Sequence, residues 1–353
     1  MFLSHSAMKA MSLFTALLGM LSCASCSQVT NLSVDDFDTL AAGPDVFLVD
    51  VRTPEEYAEG HLRGAANIDC QAPEFLEAVT AACPKETPVA VYCRTGRRSA
   101  DAAKKLSKAG YAVTNLVGGI EGWQEAGKPV TKYAVETFFT ESGAPVRITL
   151  IKHGTLEIVA KGLSIQVDPV SGLSVPTDYA TEFPKADVIL VTHEHGDHFD
   201  RVALEALGAN ADNLVTNARV AEMLGWGAVM ANGDSRDLPG GIHLDAVPAY
   251  NYTEGHTNFH PQGRDNGFIL TIDGLRIYVA GDTEDIPEMA DIKDIDVAFL
   301  PVNQPYTMTV DQCVKAAQVI QPKVLIPYHF SNTDLSGLPA ALPEITVLLR
   351  QMQ

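Results

Sequence analysis

The sequence predicts two consecutive α/β units: a parallel sheet with helices on both faces, then two sheets packed together with helices outside. Three observations carry this. At 353 residues the chain is long for one core and suits two domains. From Val46 short apolar runs, "DVFLVDV" and "TPVAVYC", alternate with amphipathic stretches such as "SADAAKKLSKAGY", which a glycine ends. After Pro145 the texture changes to strand-like runs broken by turns, "VRITLIKHGTLEIVAKGLSIQVDPV", and then to mixed strands and helices from Ala186 to Arg350.

Residues 1–28 belong to neither unit. "MKAMSLFTALLGMLSCASCSQ", from Met8, has one positive charge, an apolar core from Met11 to Leu21 and small residues after it. That pattern is a secretory signal, too short to span a bilayer. Cys23 and Cys26 stand in stretches similar to a bacterial lipobox, so the expectation is an exported protein, periplasmic or anchored to the membrane as a lipoprotein. The first unit runs from 29 to 132 and closes near "GGIEGWQEAGKPV". Residues 133–145 read as a linker, and the second unit spans 146–353.

Composition narrows the function classes. With 46% hydrophobic and 20% charged residues the chain is ordinary globular material, and a net charge of -19 repels a phosphate backbone, so nucleic acid is not an expected partner. Small anions stay open, because a local arginine cluster can hold one inside an acidic protein. Cys70, Cys83, Cys93 and Cys313 lie far apart and form neither a zinc knuckle nor a disulfide framework.

"YCRTGRRSA" puts Cys93 at the end of a strand, just before a helix expected to start near Arg98 or Ser99. Backbone N–H groups of such a loop and the positive end of the helix stabilise an anion. Arg94, Arg97 and Arg98 add to that field, so the thiol is expected to ionise below its free value of about 8.5 and act as a nucleophile. With "DVRTPEEYAEGHLRGAANID" upstream and "GGIEGW" downstream, residues from about Val29 to Lys132 resemble a single rhodanese domain. The resemblance implies a sulfurtransferase centre: Cys93 carries a persulfide, taken from a sulfane-sulfur donor and passed to a thiol acceptor. The loop Arg94, Thr95, Gly96, Arg97, Arg98 and Ser99 would cradle it. Asp50 with Arg52, and His61 with Arg63, would be mostly scaffolding, and the short loop suits sulfur better than phosphate substrates.

"THEHGDH", residues 192–198, packs three histidines and two carboxylates behind the apolar run "ADVILV". In an extended loop His193 and His195 point the same way, and Asp197 and His198 can turn back beside them. Imidazole and carboxylate donors suit zinc, iron or manganese. Further ligands are expected where buried strands end: Asp282 after "LRIYVAGD", able to bridge two ions, and His329 after "KVLIPYH".

On these motifs residues from about Val146 onward resemble the metallo-β-lactamase superfamily, and within it the branch of ascorbate-6-phosphate lactonase-like predicted hydrolases. The resemblance implies an αββα sandwich, metal ligation by His193, His195, Asp197, His198, Asp282 and His329, and most simply two Zn2+, with Mn2+ or Fe2+ as alternatives. It also puts His153 near the pocket as a substrate-side or supporting residue. One position departs from the family: its third histidine for the first metal normally follows the strand that here reads "LDAVPAYN", and Asn251 stands there. His256 or His260 is available instead. His260 is preferred, because Pro261 and Gly263 give its loop a fixed path.

The expected function is an exported metal-dependent hydrolase of a small-molecule substrate, with Asp197 orienting the attacking water and a sulfurtransferase domain in front. Two alternatives stand beside it: a persulfide dioxygenase-like protein with one Fe2+, and a non-catalytic sulfur carrier or binding module.

Overall fold

The computed structural model describes residues 29–173 and 175–352; the signal-like segment 1–28 lies outside the described residues. In the first unit β1 (Thr30–Leu32), β2 (Phe47–Asp50), β3 (Ala66–Asn67), β4 (Val89–Tyr92) and β5 (Val113–Leu116) form one parallel sheet of order β1-β5-β4-β2-β3. The connecting helices are α1 (Val34–Ala41), α2 (Pro54–Glu59), α3 (Phe75–Ala82), α4 (Arg97–Lys108) and α5 (Gly119–Glu125). Local sequence sets their starts. Ser33 caps α1 through its side chain, and Thr53 with Glu56 closes a capping box on α2, where Pro54 fixes the first turn.

Strand alternation sends side chains to two faces. Phe47, Val49, Val51, Val89, Val91 and Cys93 pack with Phe75 and Val79 of α3 and Leu106 of α4. Leu48, Ala90, Tyr92 and Leu116 pack with Phe37 of α1 and Trp123 of α5.

The second unit stacks two seven-stranded sheets. One contains β6 (Ala134–Phe139), β7 (Pro145–Lys152), β8 (Thr155–Ala160), β9 (Leu163–Val167), β10 (Val188–Val191), β11 (Leu214–Thr216) and β12 (Ala228–Val229), in the order β12-β11-β10-β9-β8-β7-β6. The other runs in chain order through β13 (Ser235–Leu238), β14 (Ile242–Ala249), β15 (Asp265–Ile272), β16 (Leu275–Val279), β17 (Val297–Pro301), β18 (Val324–Tyr328) and β19 (Thr346–Val347). Between them lies a core in which Ile148, Leu156, Ile165 and Leu190 meet Leu244, Phe268, Ile277 and Phe299. Helices α6 (Tyr179–Glu182), α7 (Arg201–Ala206) and α8 (Ala218–Leu224) cover one outer face, and α9 (Val310–Ile320) and α10 (Leu338–Ala341) the other. This is the αββα sandwich expected from the resemblance.

The linker expected over 133–145 is corrected. Residues Ala134–Phe139 are β6, paired antiparallel with β7 from Ala134↔Leu150 to Phe139↔Pro145. An edge strand pairs on one side only and is half-buried, so its apolar alternation is weak; of its six residues only Val135 is buried.

The two units meet on the outer face of β7 and β8, where Arg147, Thr149 and Glu157 are buried. Arg147 donates from Nη1 to the carbonyl of Ala41 (2.8 Å) and from Nη2 to that of Gly43 (3.0 Å), and Arg63 pairs with Glu157. Burial pushes the Arg147 guanidinium down to about 10. The two ring nitrogens of His61 each lie 3.0 Å from a carbonyl oxygen, of Tyr57 and of Tyr133, so one of them donates, and Arg52 holds Asp50 at 2.6 Å. Asp50, Arg52, His61 and Arg63, which the resemblance gave as mostly scaffolding, are thus each held by contacts within the fold. A cleft of about 740 Å³ between the units is lined by Arg63, Trp123, Arg147 and Glu157, and none of the expected site residues borders it.

Candidate functional site

The thiol loop follows β4. Helix α4 starts at Arg97, one residue earlier than expected, after Gly96 in the left-handed region (φ 87°). The loop is braced from behind: Ile120 and Glu121 donate their backbone N–H to the carbonyls of Cys93 (2.9 Å) and Arg94 (3.0 Å). Gly119 permits this approach, since a Cβ there would sit 2.4 Å from the Cys93 carbonyl oxygen.

The Cys93 thiol lies below its ordinary value. Burial raises it, and hydrogen bonds from the Ser99 hydroxyl and the backbone N–H groups of Ser99, Thr95 and Gly96 more than reverse that. The arginines do less than the sequence suggested. Arg94 is engaged by Glu121 and Arg98 by Glu56, each at 2.6 Å, while Arg97 and Thr95 are exposed. The anion hole is therefore mostly backbone.

The second site gathers at strand ends. His153 follows β7, His193, His195, Asp197 and His198 follow β10, Asp282 follows β16 and His329 follows β18; the loop between β14 and β15 delivers His260. Three overlapping groups have ligand atoms within 4.8 Å of one another: His193, His195 and His260; His153, Asp197, His198 and His329; and His193, His198 and Asp282. Asp282 lies between the first two groups. Its Oδ2 is 3.4 Å from His260 Nε2 and 3.2 Å from His329 Nε2, and its Oδ1 is 3.3 Å from His198 Nε2. Asp197 Oδ2 is 3.1 Å from His153 Nε2 and 3.5 Å from His329 Nε2.

Outer partners aim these rings. Asp168, fully buried just past β9, accepts from Thr192 N–H (2.7 Å), the Thr192 hydroxyl (2.7 Å) and His198 Nδ1 (2.8 Å). Because that hydroxyl donates to Asp168, it accepts from His193 Nδ1 at 2.9 Å. His260 Nδ1 donates to Asp265 at 3.1 Å. His193, His198 and His260 thus all turn Nε2 inward. Gly154 lets the β7–β8 turn lie against this array, since a Cβ there would be 2.6 Å from His198 Cε1.

The electrostatics call for a cation. Nε2 of His193, His198 and His329 and Oδ1 of Asp282 are buried without a hydrogen-bond partner among the described residues. Burial drives the His193 imidazole well below its usual value, while His329 is pushed up to about 10: burial opposes its charge, and facing Asp282 and Asp197 override it. Asp197 and Asp282 lie well below the usual carboxylate range despite burial, held there by the surrounding imidazoles. Orphaned nitrogen and carboxylate donors converging in one buried space fit a metal.

Asn251 stands apart from the three groups, though buried. Its N–H donates to the His260 carbonyl at 2.9 Å, and its amide donates to the Tyr306 carbonyl at 2.8 Å. His256 is outside the groups too, 3.3 Å from Glu284. Glu284 also accepts from Tyr252 N–H, Thr253 N–H and the Thr253 hydroxyl, so it shapes the loop that presents His260. Sequence reasoning missed Asp168, Asp265 and Glu284. A signal was present for each: an acid directly after a strand, beside a turn arginine, or in "GDTED".

Comparisons with known proteins match both units of the chain. The family profile described as a beta-lactamase superfamily domain matches residues 147–329, and that of the rhodanese-like domain matches 33–126. A metal-dependent hydrolase of Geobacillus sp. (strain WCH70) is 30% identical over 198 residues, covering 53% of this chain and 86% of its own. One from Archaeoglobus fulgidus is 30% identical over 198 residues, covering 54% and 85%. A solved structure from Parabacteroides distasonis, provisionally named a metal-dependent hydrolase, is 51% identical; the match covers 63% of this chain and 100% of that one, with a TM-score of 0.59. The chain therefore belongs to the beta-lactamase superfamily: it is a metal-dependent hydrolase of the metallo-β-lactamase fold with a rhodanese-like domain ahead of it.

Proposed function

We propose that the protein uses two zinc ions to hydrolyse a small-molecule substrate, and that its rhodanese-like domain takes sulfane sulfur as a persulfide on Cys93. The observation that supports the two-ion reading is the position of Asp282, whose Oδ2 lies 3.9 Å from the orphaned Nε2 of His193 in one histidine group and 3.2 Å from that of His329 in the other. His193, His195 and His260 would hold one ion, and Asp197, His198 and His329 the other, with Asp282 between. Imidazole-rich donors without thiolate suit zinc, with manganese or iron as alternatives.

Ions bound there supply a Lewis acid and an acidified water. The chain's own groups do the rest. Asp168, Thr192 and Asp265 keep the rings turned inward. Asp197, only partly buried, accepts a hydrogen bond from the attacking water and orients it, and His153 holds that carboxylate in place. Lactone, amide and phosphodiester substrates all suit this chemistry. Residues 1–28, with their apolar stretch and Cys23 and Cys26, support export to the periplasm or anchoring there as a lipoprotein.

The test is elemental analysis of protein purified without added metal. Two zinc per chain are expected, falling to one or fewer in Asp282→Ala. One iron per chain, or an unchanged count in the variant, would overturn the two-ion reading.

A further inference from the structure

We propose that Cys70 is a second sulfur carrier, which takes the sulfane sulfur from Cys93 and presents it to a small thiol outside the protein. The inference rests on the reading of Cys93 as a persulfide carrier and extends it. Cys93 is only 1% exposed, so a sulfur held there is enclosed by its loop. Cys70 is partly exposed and opens the turn that leads to α3.

Placement brings the two thiols to one edge and one face of the sheet. Phe47, Val49 and Val51 on β2 and just past it, and Val89, Val91 and Cys93 on β4 and just past it, share a face by alternation. Ala66, Ile68 and Cys70 pack against that same cluster. Cys70 N–H donates to the Val51 carbonyl at 3.2 Å, and Val51 N–H donates to the Tyr92 carbonyl at 3.0 Å. One strand thus separates the two cysteines, at the end of the sheet where the active loop sits.

Strand spacing of about 4.8 Å puts backbones on either side of one strand about 10 Å apart. A disulfide needs Cα atoms within about 6.8 Å, so direct closure does not fit. A persulfide extends Cys93 by one S–S bond of about 2 Å, and attack on its outer sulfur leaves that atom between the two cysteines. The relay fits the spacing better than a disulfide does.

The chemistry balances without an oxidant. Cys70 gives its proton to solvent, and its thiolate attacks the outer sulfur of the Cys93 persulfide. One S–S bond forms on Cys70, the one on Cys93 breaks, and the electron pair returns to Cys93 Sγ as thiolate. Thiols with low pKa leave faster and those with high pKa attack harder once ionised. Cys93 lies below its ordinary value in the N–H cradle, while burial, then Asp69, raises Cys70. Arg98 acts on both thiols, which places them in one electrostatic neighbourhood.

The experiment loads the full-length protein with thiosulfate, blocks it with an alkylating reagent and weighs the peptides that carry each cysteine. Wild type is expected to hold an extra sulfur atom on both Cys93 and Cys70. Cys70→Ser is expected to hold it on Cys93 alone and to pass it to glutathione several-fold more slowly. Cys93→Ser is expected to hold none on Cys70. Sulfur confined to Cys93 in wild type, an unchanged rate in Cys70→Ser, or sulfur reaching Cys70 in Cys93→Ser would each overturn the relay. Absence of sulfur from Cys93 in both wild type and Cys70→Ser would overturn the carrier reading beneath it as well.

Discussion

One loop, Cys93 to Ser99, supplies the Cys93 thiol and the donors around it, whereas the His/Asp centre draws its donors from the ends of β7, β10, β16 and β18 and from the loop after β14. In the loop, charge is stabilised by the Ser99 hydroxyl and by the backbone N–H groups of Ser99, Thr95 and Gly96, all within one turn. In the centre it is stabilised by side chains, each aimed by a second side chain such as Asp168 or Asp265. Each site is therefore vulnerable in a different place. The loop depends on one nucleophile and a local turn; the centre depends on the register of two sheets, so metal binding there is coupled to the folding of the second unit.

The largest effect that this comparison predicts is at Cys93. Cys93→Ser should abolish sulfur transfer from thiosulfate to cyanide while elemental analysis gives the wild-type metal content. Retained transfer would sink the thiol assignment, and lost metal would sink the independence of the two sites.

Next comes the contrast inside one loop. His260→Ala should weaken metal binding by more than the roughly 10–100-fold that an outer partner is worth, while His256→Ala changes it little. Competition with a chelator measures both. Equal effects would mean that His260 is not a ligand. Smaller again is Asp168→Asn, which leaves the donors in place and disturbs only their aim. Metal affinity should fall about 10–100-fold, with the fold intact by circular dichroism.

The smallest effect is electrostatic and belongs to the thiol loop's surroundings. Glu56, paired with Arg98, is lowered from the usual 4.5 to about 2. A depressed carboxylate stabilises the fold above its unfolded value and loses that contribution as pH falls toward its folded one. The pair is partly exposed and worth about 0.2–1 kcal/mol. The stability gap between wild type and Glu56→Gln should therefore shrink from about pH 4.5 to about pH 2; a gap constant over that window would mean that the pair is not formed.

Legibility in the sequence followed the same division. The strand-loop-helix around Cys93 is contiguous and could be read directly, but its arginines' partners, Glu56 and Glu121, lie far away in sequence, so the arginine field was overestimated. The run His193 to His198 announced a metal centre by density of donors alone, and the gap at Asn251 pointed to His260. Asp168 was hidden because an acid before proline at a strand end reads as an ordinary turn; its partners Thr192 and His198 meet it only when β9 and β10 pair. Strand β6 was hidden because an edge strand carries little apolar alternation, and here Glu136 and Thr137 interrupt it.

Two ions, one on either side of Asp282, are what the proposed chemistry requires. Anomalous diffraction at the zinc edge, on crystals of protein purified without added metal, tests it most directly. Two peaks are expected, one within ligand distance of His193, His195 and His260 and the other within ligand distance of Asp197, His198 and His329, both touching Asp282. A single peak, or peaks that leave Asp282 or His260 unbound, would contradict the account.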